Sequence, residues 1–198
     1  LYILGVCRYN RGDYPEAIEA LAEVVGEEDE LMQNACLYLG QCYLQTDDRN
    51  RARMSFEQAA TLTFDPKVQE TAMYNYALLI HETSFSGFGE SVTIFEDFLN
   101  RFPDSKYADK VSDYLAEVYL TTKNYDAALE SIDKIRRPGR KILAAKQNVL
   151  FRMGVEAFTV RRPSEAIRRF DEAIAPGVYD ADAYSQAYYW RGETFYRQ

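Results

Sequence analysis

The sequence predicts an all-α fold of tandem antiparallel helical hairpins, and three observations carry that expectation: a repeated motif around a small residue, a second motif downstream of it, and turn chemistry between the two. The first motif is a large residue, then Gly or Ala, then a large or apolar residue three positions on. Its six instances are Leu4-Gly5 with Arg8, Leu39-Gly40 with Tyr43, Tyr76-Ala77 with Ile80, Leu115-Ala116 with Tyr119, Met153-Gly154 with Ala157, and Arg191-Gly192 with Phe195. The small residues are 35, 37, 39, 38 and 38 positions apart. A nearly constant period of this size is the mark of stacked repeats.

The second motif is a small residue followed four later by a large apolar one: Ala17 with Leu21, Ala52 with Phe56, Ser91 with Phe95, Ala128 with Ile132, and Ala166 with Phe170. Spacings of three and four place each set on one helical stripe, so each repeat reads as helix, turn, helix. The turns are Gly12-Asp13-Tyr14-Pro15, Asp47-Asp48-Arg49-Asn50, Ser86-Gly87-Phe88-Gly89, Lys123-Asn124-Tyr125-Asp126 and Arg161-Arg162-Pro163-Ser164. Pro15 and Pro163 suit a first helical turn. The repeats therefore run over about 1–28, 31–64, 67–103, 105–138 and 141–176, with a partial repeat at 180–198, giving eleven helices, no strand and one continuous array. Where two helices cross closely, a small residue admits the large residue of its neighbour, which explains the alternation.

Leu4-Gly5, the stretch from Gly12 to Ile18 and the stretch from Asn124 to Leu129 resemble the tetratricopeptide repeat. That resemblance implies a right-handed superhelix, an α-solenoid, that binds other proteins and carries out no catalysis. Arg8 and Arg191 stand where the family has apolar residues, Phe98 and Ile135 where it has Ala, and the third repeat holds extra residues around Phe85-Ser86-Gly87-Phe88, so locally altered twist is expected there. Ile94-Phe95, Phe98-Leu99 and Phe102-Pro103-Asp104-Ser105-Lys106-Tyr107-Ala108 resemble repeats of bacterial outer-membrane-assembly lipoproteins and Tol-associated periplasmic coordinators. This implies the periplasmic side of a bacterial cell envelope, with the cytoplasm as the alternative. Repeat stacks need polar capping units, and an opening inside an apolar pattern and a last helix without its partner point to a window on a longer array.

Net charge is −8, which argues against nucleic acid as a partner. Charge is segregated: residues 136–169 hold ten Lys or Arg against Glu156 and Glu165. We read this region as a solvated face, with docking of an acidic partner or another copy as the alternative. No apolar run is long enough to span a bilayer, which argues against direct membrane insertion. Cys7, Cys36 and Cys42 lack disulfide or metal spacing and read as small core thiols, so no metal or other cofactor is expected. His81 beside Glu82 makes no catalytic pair, because sequence neighbours on a helix diverge. Glu27-Glu28-Asp29-Glu30 reads as an acidic cluster favourable near a helix start. The chain is read as no enzyme.

In the resembled family the first helix of each repeat lines a concave groove. Its lining positions correspond here to Tyr2, Tyr9, Asn34, Gln41, Tyr74, Leu78, His81, Asn148, Phe151, Phe158, Tyr189 and Tyr196. Amides that hold an extended backbone and rings that form pockets suit a peptide or protein segment. Phe151 and Phe158, with Tyr189 and Tyr196, each lie two turns apart and predict a four-ring ladder. The alternative is a structural or oligomerising spacer in a larger envelope protein, self-associating through uncapped ends or through residues 136–169.

Overall fold

In the computed structural model, residues 1–83 and 89–197 are described, and they form eleven α-helices and no strand. The all-helical expectation holds, and neighbouring helices pack in chain order as in a tetratricopeptide-like helical solenoid. The turn expected at 86–89 and the extra residues at 85–88 lie almost wholly outside the described residues. The chain divides into two compact units, Leu1–Phe85 and Ser86–Gln198.

The first unit contains α1 (Tyr2–Arg11), α2 (Tyr14–Ala22), α3 (Glu30–Gln45), α4 (Arg49–Thr61) and α5 (Pro66–Thr83). Helix α3 packs on α1, α2, α4 and α5. The small-to-large packing rule operates through atoms in contact: a Cβ built on Gly5 would lie 2.5 Å from Leu21, and one on Gly40 would lie 2.5 Å from the Phe56 ring. Ala17, Leu21, Ala52 and Phe56 are all fully buried. Glycine is needed at Gly5 and Gly40 because the backbone itself forms the groove that receives the large side chain.

The first turns are built alike. Gly12 N–H donates to Tyr9 C=O and Asp13 N–H to Arg8 C=O; Asp47 N–H donates to Leu44 C=O and Asp48 N–H to Tyr43 C=O. These paired bonds are Schellman caps, which satisfy orphan carbonyls and require one left-handed residue. Gly12 supplies it at φ 85° and Asp47 at φ 60°. Asp48 then caps the next helix, its carboxylate accepting from Arg51 N–H at 3.1 Å.

The second unit contains α6 (Glu90–Arg101), α7 (Ala108–Thr121), α8 (Tyr125–Asp133), α9 (Arg140–Thr159), α10 (Pro163–Ile174) and α11 (Ala181–Tyr196). Helix α9 is its hub, packing on α7, α8, α10 and α11. A Cβ on Gly154 would lie 2.4 Å from the Phe170 ring, so the rule recurs; at Gly192 a Cβ would meet nothing within 4 Å. Phe98 and Ile135, larger than the Ala the resemblance leads one to expect, are both buried. Arg191 is accommodated at the edge of its interface by an ion pair with Asp171 at 2.5 Å.

Two buried glutamines fasten successive hairpins. Gln33 on α3 donates to the carbonyls of Ala59 (3.2 Å) and Leu62 (2.7 Å), and its Oε1 accepts from Asp65 N–H at 2.7 Å. Gln147 on α9 donates to Ala173 and Gly177 C=O, both at 2.7 Å, and accepts from Tyr179 and Asp180 N–H at 3.0 and 2.7 Å. Each side chain closes the end of one helix and the loop into the next, satisfying backbone groups that burial would otherwise strand. Both precede the small residue of their repeat by seven positions.

Candidate functional site

In the first unit the rings of α1 converge on α3. Tyr2 and Tyr9 each meet Tyr38 edge-on, with centroids 6.3 and 5.2 Å apart, and Tyr9 also meets Tyr14 at 5.9 Å. Burial raises the hydroxyl pKa of Tyr2 and Tyr9, helped in Tyr9 by Cys42 and the neighbouring tyrosines, so both stay neutral donors at physiological pH. Asn34 and Gln41 are half-buried on α3, and the Asn34 amide donates back to Glu30 C=O at 2.9 Å. Leu78 and His81 are half-buried on α5, whereas Tyr74 is only 7% exposed and belongs to the core.

In the second unit Phe158 meets Trp190 edge-on at 5.2 Å, and Tyr189 meets the same Trp190 at 5.7 Å. Phe151 leans on core Phe170 at 6.3 Å. Tyr189 and Tyr196 are 63% and 87% exposed. The expected four-ring ladder is therefore replaced by pairs, because a ring four residues after the small residue of one repeat reaches the ring two before that of the next. Tyr9 with Tyr38 and Phe158 with Trp190 share this register and nearly the same geometry, interplanar angles being 68° and 65°. Tyr38 and Trp190 were absent from the expected groove set, yet their signal was present: an aromatic two positions before Gly40 and Gly192.

Asn148 donates to Asp180 at 3.0 Å, and its buried Oδ1 has no hydrogen-bond partner among the described residues. Two clefts adjoin Trp190. One, of about 470 Å³, is lined by Lys123, Tyr125, Phe151, Arg152, Val155, Glu156 and Trp190. The other, of about 740 Å³, is lined by Phe158, Thr159, Arg161, Pro163, Trp190, Thr194 and Arg197.

Much of the basic stretch is neutralised internally. Arg137 pairs with Asp104 (3.4 Å), Lys141 with Asp109 and Asp113 (3.0 and 2.7 Å), Lys146 with Asp133 (2.6 Å), and Arg168 and Arg169 with Glu172 (3.4 and 2.9 Å). Cys36 and Cys42 are fully buried, and burial lifts both thiols to about 11, so neither is a thiolate nucleophile near neutral pH. Cys7, expected in the core, is exposed, unlike Gly5 two residues before it, which is the buried residue of α1. No helix among the described residues is long and apolar enough to cross a membrane.

These faces sit on the first helices of repeated hairpins, whose register recurs through both units. No curated protein matches the chain. Residues 8–69, which run from within α1 through α4 into α5, match the family model of the tetratricopeptide repeat.

Proposed function

We propose that the chain is a non-enzymatic interaction scaffold that holds a peptide or protein segment against the aromatic- and amide-bearing faces of its first helices. Tetratricopeptide repeats generally mediate protein–protein interaction, and the family match supports that class. The observation that carries the reading is the recurrence of one aromatic pair at equivalent repeat positions, Tyr9 with Tyr38 and Phe158 with Trp190, with half-buried amides or open clefts alongside. Rigid rings beside amides suit segment recognition, because rings anchor side chains and amides satisfy the extended backbone.

The test is a display selection of linear segments on the purified chain, followed by affinity and melting measurements on Phe158→Ala and Tyr189→Ala. Loss of a central ring is expected to weaken selected segments by about 2 kcal/mol. Recovery of no binding segment, or equal binding by both variants, would remove the reading. The spacer alternative has its own observation: Ile3 and Leu4 on α1 and Tyr188 and Phe195 on α11 are exposed. Contiguous exposed apolar surface favours association. Sedimentation over a concentration series decides it, a monomer at all concentrations speaking against self-association.

A further inference from the structure

The larger cleft beside Trp190 has a composition that identifies a class of occupant. Among its lining residues are two guanidiniums, Arg161 and Arg197, and no carboxylate. Arg197 pairs with Glu193 at 2.5 Å and lies over the Phe158 ring at 5.7 Å, so its charge is shared. Arg161 makes no ion pair among the described residues, in contrast to Arg137, Lys141, Lys146, Arg168 and Arg169 of the same basic stretch. Arg152 and Lys123 outnumber the one carboxylate, Glu156, that lines the adjoining cleft. The exposed Thr159 hydroxyl donates to Val155 C=O of its own helix at 2.8 Å, which leaves its oxygen as an acceptor, whereas Thr194 is buried.

Arg161 is also unusual in its backbone. It occupies the left-handed cap position of α9 at φ 58°, with Arg161 N–H donating to Phe158 C=O and Arg162 N–H to Ala157 C=O. This is the Schellman register in which the first repeat uses Gly12. Glycine adopts that conformation without steric cost and arginine does not, so a long cation sits at the cleft where stability alone favours glycine.

We propose that this cleft takes an acidic extended segment of a protein partner, with a carboxylate on Arg161, an adjacent apolar side chain against the Phe158–Trp190 pair, and a backbone N–H group donating to the exposed Thr159 oxygen. The proposal rests on the first helices being a binding face. Charge complementarity selects the occupant, since a basic segment would meet Arg161 with no carboxylate among the lining residues to offset it.

The experiment uses Trp190, the chain's one tryptophan, as a reporter inside the site. The chain is titrated with three tryptophan-free peptides of roughly nine residues, each with a central Leu flanked by Asp and Glu, by Ser and Gly, or by Lys and Arg. A span of about 30 Å when extended covers the cleft. Only the acidic peptide is expected to give a tight, saturable change in Trp190 emission, and raising NaCl to about 0.3 M weakens it by screening. Arg161→Gly loses about tenfold in affinity, the scale of one charge-assisted hydrogen bond, with an unchanged or higher melting temperature. Arg161→Asn, which also tolerates the left-handed region, is the second variant and should lose the same affinity. Equal binding of the neutral and acidic peptides with a Trp190 response overturns the acidic class while leaving the binding face intact. Failure of all three peptides removes the binding face as well. A Trp190 response to the chain's own concentration, with dimers in sedimentation, assigns the cleft to a second copy and overturns the proposal.

Discussion

At the scale of single residues, the same aligned glycine has opposite energetic meanings in different repeats. At Gly40 a methyl would collide with the fully buried Phe56 ring, which has nowhere to move, whereas at Gly192 it would meet open space. Gly40→Ala is expected to destabilise by about 1–3 kcal/mol through overpacking, less the helix-propensity gain of up to about 1 kcal/mol. Gly192→Ala keeps only the gain and should stabilise by up to about 1 kcal/mol. Urea unfolding of the pair checks this, and destabilisation of similar size by both would show that the alignment, not the local contact, sets the cost. The large partners Leu21, Phe56 and Phe170 were legible in the sequence because burial against a small residue leaves a spacing pattern. Tyr38 and Trp190 escaped the groove set because their role depends on which ring of the previous repeat they meet, and spacing within one repeat carries no such information.

At the scale of the element, helix ends carry much of the specificity. The periodicity that reveals helices is blind to Gln33 and Gln147, since a buried glutamine looks like any polar residue until its backbone partners are seen. Gln147→Met keeps volume but strands donors at Tyr179 and Asp180 and acceptors at Ala173 and Gly177. The expected cost is on the order of 3 kcal/mol, because unsatisfied buried groups forfeit their full desolvation penalty. A loss below about 0.5 kcal/mol in chemical unfolding would mean that the loop repairs itself. Asp47→Gly tests the left-handed caps: removal of the side-chain strain at φ 60° should stabilise by up to about 1 kcal/mol, provided Asp48 still caps α4.

At the scale of the whole molecule, charge is unevenly distributed: residues 1–85 hold fourteen Asp and Glu against six Lys and Arg, while residues 86–198 hold seventeen of each. The second unit nevertheless contains a pH-sensitive element that net charge does not reveal. Glu96 on α6 is buried and accepts a hydrogen bond from the Ser131 hydroxyl on α8, which lies 2.6 Å from the Tyr119 hydroxyl on α7, so one polar chain ties three helices together. Burial raises the Glu96 pKa above its ordinary 4.5; the Ser131 bond and Lys134 oppose the rise, and Glu130 adds to it. Between the ordinary and the raised value the folded unit retains a proton that the unfolded chain has released. The stability contributed by this group is thus fully present below the ordinary pKa and is lost as pH rises through the raised one. Glu96→Gln removes the titration and keeps an oxygen for Ser131. The variant should therefore melt at a higher temperature relative to the parent at pH 7, and the difference should shrink as pH falls toward 4.5. Because every other titrating group is common to both proteins, the difference in melting temperature isolates this carboxyl. A difference that stays constant across the series would assign Glu96 a fixed charge state in the folded unit and dismiss the linkage.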